Sequence, residues 1–274
     1  MRRCSQTMKT IVIFGQGYVG SAYKHLLDQA YTVIAVDPYK GLDPVVDWSR
    51  VAACIICVDT PMNPDGQCDP SDVHTVLDSI KSNWTQALPA QVLIKCTIDP
   101  TLAVNISRLH STIDIVYSPE FLTARNNIQD VMSQKFMIFG AGPMMELSTA
   151  LFVELFDKVL PDCRFEICDV QTACLVKYAV NSFLAAKVTF FNQFQQLHVA
   201  LDTRDSYTRF SQLVGLDSRI GPDHTSVPGP DSRQGWGGHC FEKDIPALLD
   251  FAARLDVDLS AIQSVYNLNK KHRL

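Results

Sequence analysis

Residues 10–20 read "TIVIFGQGYVG". A short apolar run of strand type leads directly into Gly15, Gly17 and Gly20, spaced G-x-G-x-x-G, and a helical pattern opens behind them. A strand that turns this sharply into a helix leaves bare backbone amides at the positive end of the helix dipole, an arrangement that holds a pyrophosphate. The same spacing also describes a tight strand-to-helix turn with a capping acid. The next apolar run, "YTVIAV" at 31–36, ends in Asp37. A carboxylate there accepts from both ribose hydroxyls and repels a 2′-phosphate, so the expected cofactor is NAD rather than NADP.

Further along, "ACIICV", "QVLIK", "IDIVY", "KFMIFG" and "RFEIC" alternate with helix-like segments up to about Asp169. That alternation predicts parallel strands with crossover helices, a doubly wound α/β unit. Beyond it the texture changes. "VQTACLVKYAVNSFLAAKVTFFNQFQQLHVALD" has no Gly or Pro and carries apolar residues at helical spacing, which predicts one helix of about thirty residues. Helical patterns also run over 205–215 and 244–273. The expected organisation is an N-terminal domain at 8–168 and a mostly helical domain at 169–274, with residues 1–7 as a lead-in.

With 274 residues, 47% of them hydrophobic, the chain can bury a substantial core. A net charge of −5 without a basic block gives no electrostatic footprint for nucleic acid. Uninterrupted apolar runs fall short of a membrane span and the N-terminus lacks the apolar core of a signal peptide, so no membrane and a cytoplasmic location are expected. The nine cysteines are an odd number scattered through a large chain, which suits reduced thiols. Cys54 and Cys57 form a C-x-x-C inside an apolar strand and read as core packing; no metal site is expected.

One long irregular stretch, "PGPDSRQGWGGHCFEKDIP" at 228–246, interrupts the helical half. Gly235, Gly237 and Gly238 precede Cys240, and a helix is expected from about Asp244. A thiol near a helix N-terminus is activated, and glycines let backbone amides approach a ligand. A buried structural cysteine is the alternative, and the dinucleotide turn elsewhere in the chain favours the nucleophile. Lys177 and Asn181 lie four residues apart on the long helix and so share a face; they could hold a developing oxyanion, or be a snorkelling lysine beside a packing asparagine.

Taken in order, "GQGYVG", "VDTP", "CTIDPT", "SPEFL", the Lys177/Asn181 helix, "LDSRIG" and "GWGGHCFEKD" resemble the UDP-glucose/GDP-mannose dehydrogenase family over nearly the whole chain. The resemblance implies a Rossmann-like NAD-binding domain followed by a central, dimerising domain. It implies oxidation of the C6 alcohol of a nucleotide sugar, UDP-glucose, to the acid, with two NAD⁺ consumed. Cys240 would add to the C6 aldehyde, giving a thiohemiacetal, then a thioester that water hydrolyses. Lys177 and Asn181 would stabilise oxygen charge, Asp244 would serve the hydrolytic water or Cys240, and Thr97 and Glu120 would hold water and take the alcohol proton.

By the same resemblance Tyr18, Val19, Thr60 and Thr97 join the glycines and Asp37 at the cofactor. Glu120, Phe121, Leu122, Lys177, Asn181, Gly235, Trp236, Gly237 and Gly238 line the substrate, and Arg219 reaches a neighbour's substrate in a homodimer built on the helix at 170–203. GDP-mannose and a UDP-N-acetylhexosamine are the alternative sugars, with His224, His239 and Trp236 tuning the choice, and a catalytically silent binding subunit is the alternative role. Family members usually continue into a second Rossmann-like domain that helps bind the nucleotide; the resemblance implies a minimal version or a fragment without it. Ala124 and Cys174 stand where the family often has glutamates.

Overall fold

The computed structural model describes residues 8–63, 66–123, 125–142 and 145–273. Each apolar run forms a strand: β1 Thr10–Phe14, β2 Thr32–Val36, β3 Val51–Ile56, β4 Ala90–Ile94, β5 Ile113–Tyr117, β6 Phe136–Gly140 and β7 Arg164–Cys168. They make one sheet in the order β2-β1-β3-β4-β5-β6-β7. The helices between them are α1 Tyr18–Leu27, α2 Ser71–Asn83, α3 Pro100–Leu109, α4 Asn127–Met132 and α5 Glu146–Asp157.

The central strands are apolar throughout because both faces of the sheet are covered. Ile11, Ile13, Ala53 and Ile55 point to one face and meet Tyr23, Leu26 and Leu27 of α1 and Phe152 and Phe156 of α5. Val12, Phe14, Cys54 and Ile56 alternate to the other and meet Val73, Leu77 and Ile80 of α2 and Ala103 and Ile106 of α3. Each fully buried large side chain contributes about 1.5–3 kcal/mol. Cys54 and Cys57 are core thiols; burial raises both, Cys57 to about 12. The cysteines at 54, 57, 68, 96, 163, 168, 174 and 240 are in no disulfide.

The sheet departs from the expected all-parallel arrangement at one place. β5 and β6 are antiparallel, paired at Tyr117 and Gly140, while β6 and β7 run parallel to each other. The connection from β5 to β6 carries only the six-residue α4, whereas each parallel crossover next to it carries a helix of ten residues or more, and the chain returns in the opposite sense. At the other side the chain leaves β1 for β2 and then passes back beyond β1 to β3, which puts the topological switch point between β1 and β3.

The remaining helices are α6 Val170–Ala200, α7 Tyr207–Val214, α8 His239–Arg254 and α9 Ser260–Arg273. The chain divides into two compact units: one holds the residues up to Pro61 with Cys68–Lys177, the other Met62–Gln67 with Tyr178–Leu274. The boundary thus falls inside α6 rather than at its start, because Val170 and Cys174 of its first turns pack into the sheet core of the first unit. The second unit has its own small cores, Tyr178 with Ala247, Leu248 and Phe251, and Ala185 with Trp236 and Ile245.

Two further differences from the sequence reading concern helices. α8 begins at His239, not at Asp244, because Gly238, at φ +85°, makes the sharp entry. The pattern over 244–273 is broken between α8 and α9, where Asp256 adopts φ +56°. α6, at 31 residues, is long and apolar enough by length and composition alone to cross a membrane, and 44% of its most apolar stretch is buried within the fold. Counting uninterrupted apolar runs passes over such a helix, since its apolar residues are interspersed.

Candidate active site

In the first unit the glycine turn is built as its spacing requires. Gly15 sits at φ +81°, and a Cβ there would lie 2.6 Å from the Cys57 carbonyl oxygen. A Cβ on Gly20 would lie 1.9 Å from the Gly15 carbonyl oxygen, so this glycine lets α1 close against the turn. Beside Gly17 there is open space: a Cβ would meet nothing within 4 Å. The bare backbone at the start of α1 is therefore accessible, which is what a pyrophosphate needs. Asp37, buried at the end of β2, accepts a hydrogen bond from the Gln16 N–H at 2.8 Å, fixing its carboxylate at the rim of the turn. Turn and acid fit a dinucleotide. Val19 packs against the core, while Thr60 is buried and donates to the Thr97 carbonyl at 2.9 Å.

Glu120, Lys177 and Tyr18 form a second cluster in the same unit. The Lys177 ammonium is 3.1 Å from Glu120 Oε1, and both side chains are buried. The Tyr18 hydroxyl donates to the same oxygen at 3.4 Å, and the Leu122 N–H donates to Glu120 Oε2 at 2.6 Å. Lys177 also lies 5.5 Å from the centre of the Phe121 ring. The pair is thus a fixed, desolvated ion pair whose lysine keeps two further N–H donors. Thr97, Ser118, Cys174 and Lys177 line a small cavity of about one water's size. Burial pushes Cys174 up to about 12, which marks it as an inert core thiol rather than a substitute acid. Ala124 lies outside the described residues.

Lys95 is a residue the sequence reading missed. It follows β4 directly, is fully buried, donates to Ser118 Oγ at 3.0 Å and lies 4.4 Å from the Tyr23 ring centre. Burial lowers it to about 8, opposed by the charges of Cys57 and Glu120. The signal was visible: a lysine closing the apolar run "QVLIK".

In the second unit, Cys240 lies in the first turn of α8 and is half-buried. Asp244 follows four residues later on the same face. It is buried; Asn181 Nδ2 donates to its Oδ2 at 2.6 Å and Lys243 Nζ to its Oδ1 at 2.7 Å. Thiol, carboxylate and amide are in this way linked through one helix turn and one hydrogen bond. Gly238 faces open space, whereas Gly235 and Trp236 are buried. The Trp236 indole is enclosed, stacked on Tyr266 and bonded to Thr189 Oγ1 at 3.1 Å, so its side chain is part of this unit's core. His224 adopts φ +61° with its Nδ1 buried and unbonded, while the His239 side chain lies outside those described. Arg219 is exposed and forks onto Asp217 at 2.6 and 3.0 Å.

Residues 171–271 match the UDP-glucose/GDP-mannose dehydrogenase family, central domain, and residues 45–159 match the NAD binding domain of the same family. The chain belongs to the UDP-glucose/GDP-mannose dehydrogenase family. The glycine turn lies ahead of the matched NAD-binding span, and the cofactor that turn and Asp37 fit is the one for which the domain is described. Among the curated relatives is UDP-glucose 6-dehydrogenase of Rickettsia typhi, 29% identical over 231 residues, which are 82% of this chain and 50% of that protein. The chain spans about half the length of the curated relatives it matches.

Solved family structures share the fold. A UDP-glucose dehydrogenase from Pyrobaculum islandicum superposes with a TM-score of 0.82 at 23% identity, covering 99% of this chain and 70% of that one. A UDP-D-ManNAc dehydrogenase from Pyrococcus horikoshii gives 0.77 at 20% identity, covering 96% and 68%.

Proposed function

We propose that the chain carries out the two-step oxidation of a nucleotide sugar's C6 alcohol to the carboxylic acid, with UDP-glucose as the sugar nucleotide. The observation that carries this reading is Cys240 at the start of α8, one turn ahead of a buried Asp244 that is held by Asn181. Gly15, Gly17 and Asp37 would hold NAD, which supplies the hydride acceptor for each oxidation.

The chain's own residues divide the remaining work. Glu120, directly or through a water beside Thr97, takes the proton of the C6 hydroxyl, and Lys177 offsets the charge with its free N–H donors. The Cys240 thiolate then adds to the aldehyde carbon, forming a C–S bond as the C=O π bond breaks and the proton taken by Glu120 returns to the oxygen. Asn181 gives one amide hydrogen to Asp244 and has a second for that oxygen. After the second oxidation the adduct is a thioester. Water adds to it, Asp244 accepts the water's proton, and the C–S bond breaks to return the thiol and release the acid.

A panel of nucleotide sugars mixed with the protein and NAD⁺ tests this by NADH absorbance. About two NADH per UDP-glucose, abolished in Cys240→Ala, is the expected result. The same yield only on GDP-mannose or a UDP-N-acetylhexosamine would correct the substrate. Binding of cofactor and sugar without turnover would replace the enzyme with a silent binding subunit. We also propose a homodimer built on α6, supported by the apolar stripe of Phe183, Phe190, Phe194 and Leu197 that this helix exposes.

A further inference from the structure

The backbone just ahead of Cys240 is gripped from two helices. Asn192 Oδ1 on α6 accepts the Gly235 N–H at 2.9 Å. Asn269 on α9 makes a two-way pair with Trp236: its Oδ1 accepts the Trp236 N–H at 2.7 Å, and its Nδ2 donates to the Trp236 carbonyl at 2.8 Å. Arg273 adds Nε to that carbonyl at 3.1 Å, Nη2 to the Gly235 carbonyl at 3.2 Å and Nη1 to Asp231 at 2.5 Å. Arg233 Nη2 returns a bond to the Arg273 carbonyl at 2.8 Å. Both asparagines are buried.

This grip also accounts for two of the glycines. A Cβ on Gly235 would lie 2.4 Å from Asn269 Oδ1, and one on Gly237 would lie 2.7 Å from Arg273 Nη2. They make room for the clamping side chains, and Gly238 alone of the three faces open space. Three residues separate the anchored Trp236 from Cys240, so the clamp sets where the chain enters α8.

We propose that Asn269 and Arg273, with Asn192, are positioning residues for Cys240: they hold the Gly235–Trp236 backbone so that the thiol sits at a fixed place in the first turn of α8. This rests on the reading of Cys240 as the nucleophile. It requires no contact between these residues and substrate. The amide of Asn269 supplies an acceptor and a donor to the N–H and C=O of one residue, Trp236, and the Arg273 fork reaches two consecutive carbonyls; a lysine cannot reproduce the fork.

The test measures the pH profile of Cys240 alkylation by iodoacetamide, read by peptide mass spectrometry, alongside kcat and KM for NADH formation. It uses the full chain and the variants Asn269→Ala, Arg273→Lys and, as control, the exposed Asn267→Ala. Asn269→Ala and Arg273→Lys are expected to move the alkylation midpoint by about one pH unit, a tenfold change in thiolate fraction. They should lower kcat roughly 10- to 100-fold with KM for NAD unchanged, and Asn267→Ala should match the parent protein. Unchanged Cys240 profiles in folded Asn269→Ala and Arg273→Lys would overturn the clamp. If Asn269→Ala does not fold, Arg273→Lys decides. If the parent protein turns over no nucleotide sugar, the catalytic reading fails while the alkylation profiles still decide this one.

Discussion

Lys95 carries a charge into the interior with a hydroxyl as its bonded partner. Its ordinary value of 10.5 falls to about 8. The native state therefore binds fewer protons than the unfolded chain between those values, and this group's contribution to stability rises with pH across that window. Below about pH 8 the folded protein bears the full burden of the buried ammonium, about 3 kcal/mol. Lys95→Met is expected to be more stable than the parent protein in urea at pH 7, less about 1 kcal/mol for the lost Ser118 bond, and the advantage should shrink as pH approaches 10. A difference that stays constant with pH would refute the assignment. Asp37→Asn should weaken NAD binding roughly 10- to 100-fold by calorimetry, as loss of a charged hydrogen bond does, and should narrow the preference over NADP. Gly15, Gly20 and Asp37 were legible in the sequence because their spacing is set by backbone geometry alone. The pairing of Lys177 with Glu120 and of Asn181 with Asp244 was not: 57 and 63 residues separate the partners, and no local pattern records such a meeting.

Among the elements, α6 was the most legible. A run without Gly or Pro predicts its length, and the helix found has 31 residues. Its exposed stripe leads to an expectation at this scale: Phe190→Lys should turn a dimer into a monomer in light scattering, with helix content retained. Phe190 lies 4.5 Å from Phe194, ring centre to ring centre, so the substitution removes apolar surface from the middle of the stripe. The start of α8 was hidden because Gly238 enters the helix from a conformation that reads as loop, and the break after it was hidden because Asp256 adopts a left-handed conformation without a glycine to announce it. The central strands β1, β3, β4 and β5 were legible because burial leaves a continuous apolar run, while β7, with Arg164, Glu166 and Ile167 exposed, showed only by its place in the alternation. Strand direction was not, since the alternating apolar runs read alike on either side of the reversal at β5–β6.

Over the whole molecule, the order of protection against hydrogen exchange should follow burial. β1, β3 and β4, enclosed on both faces, are expected to exchange most slowly, and residues 202–206 and 215–234 most quickly. NAD at about a hundred times its dissociation constant should add about 2.7 kcal/mol of protection to the slowest amides of the first unit; no added protection there would remove Gly15–Gly20 and Asp37 as its site. The doubly wound arrangement was legible because strand-like and helix-like segments alternate along the first half of the chain. The division into units was not: it cuts α6 between Lys177 and Tyr178 and assigns Met62–Gln67 to the second unit. The polypeptide consequently passes from one unit to the other three times. No single scission, by protease or by gene truncation, yields both halves intact: a break after Lys177 leaves a short piece of the second on the wrong fragment and parts Lys177 from Asn181, one helical turn away.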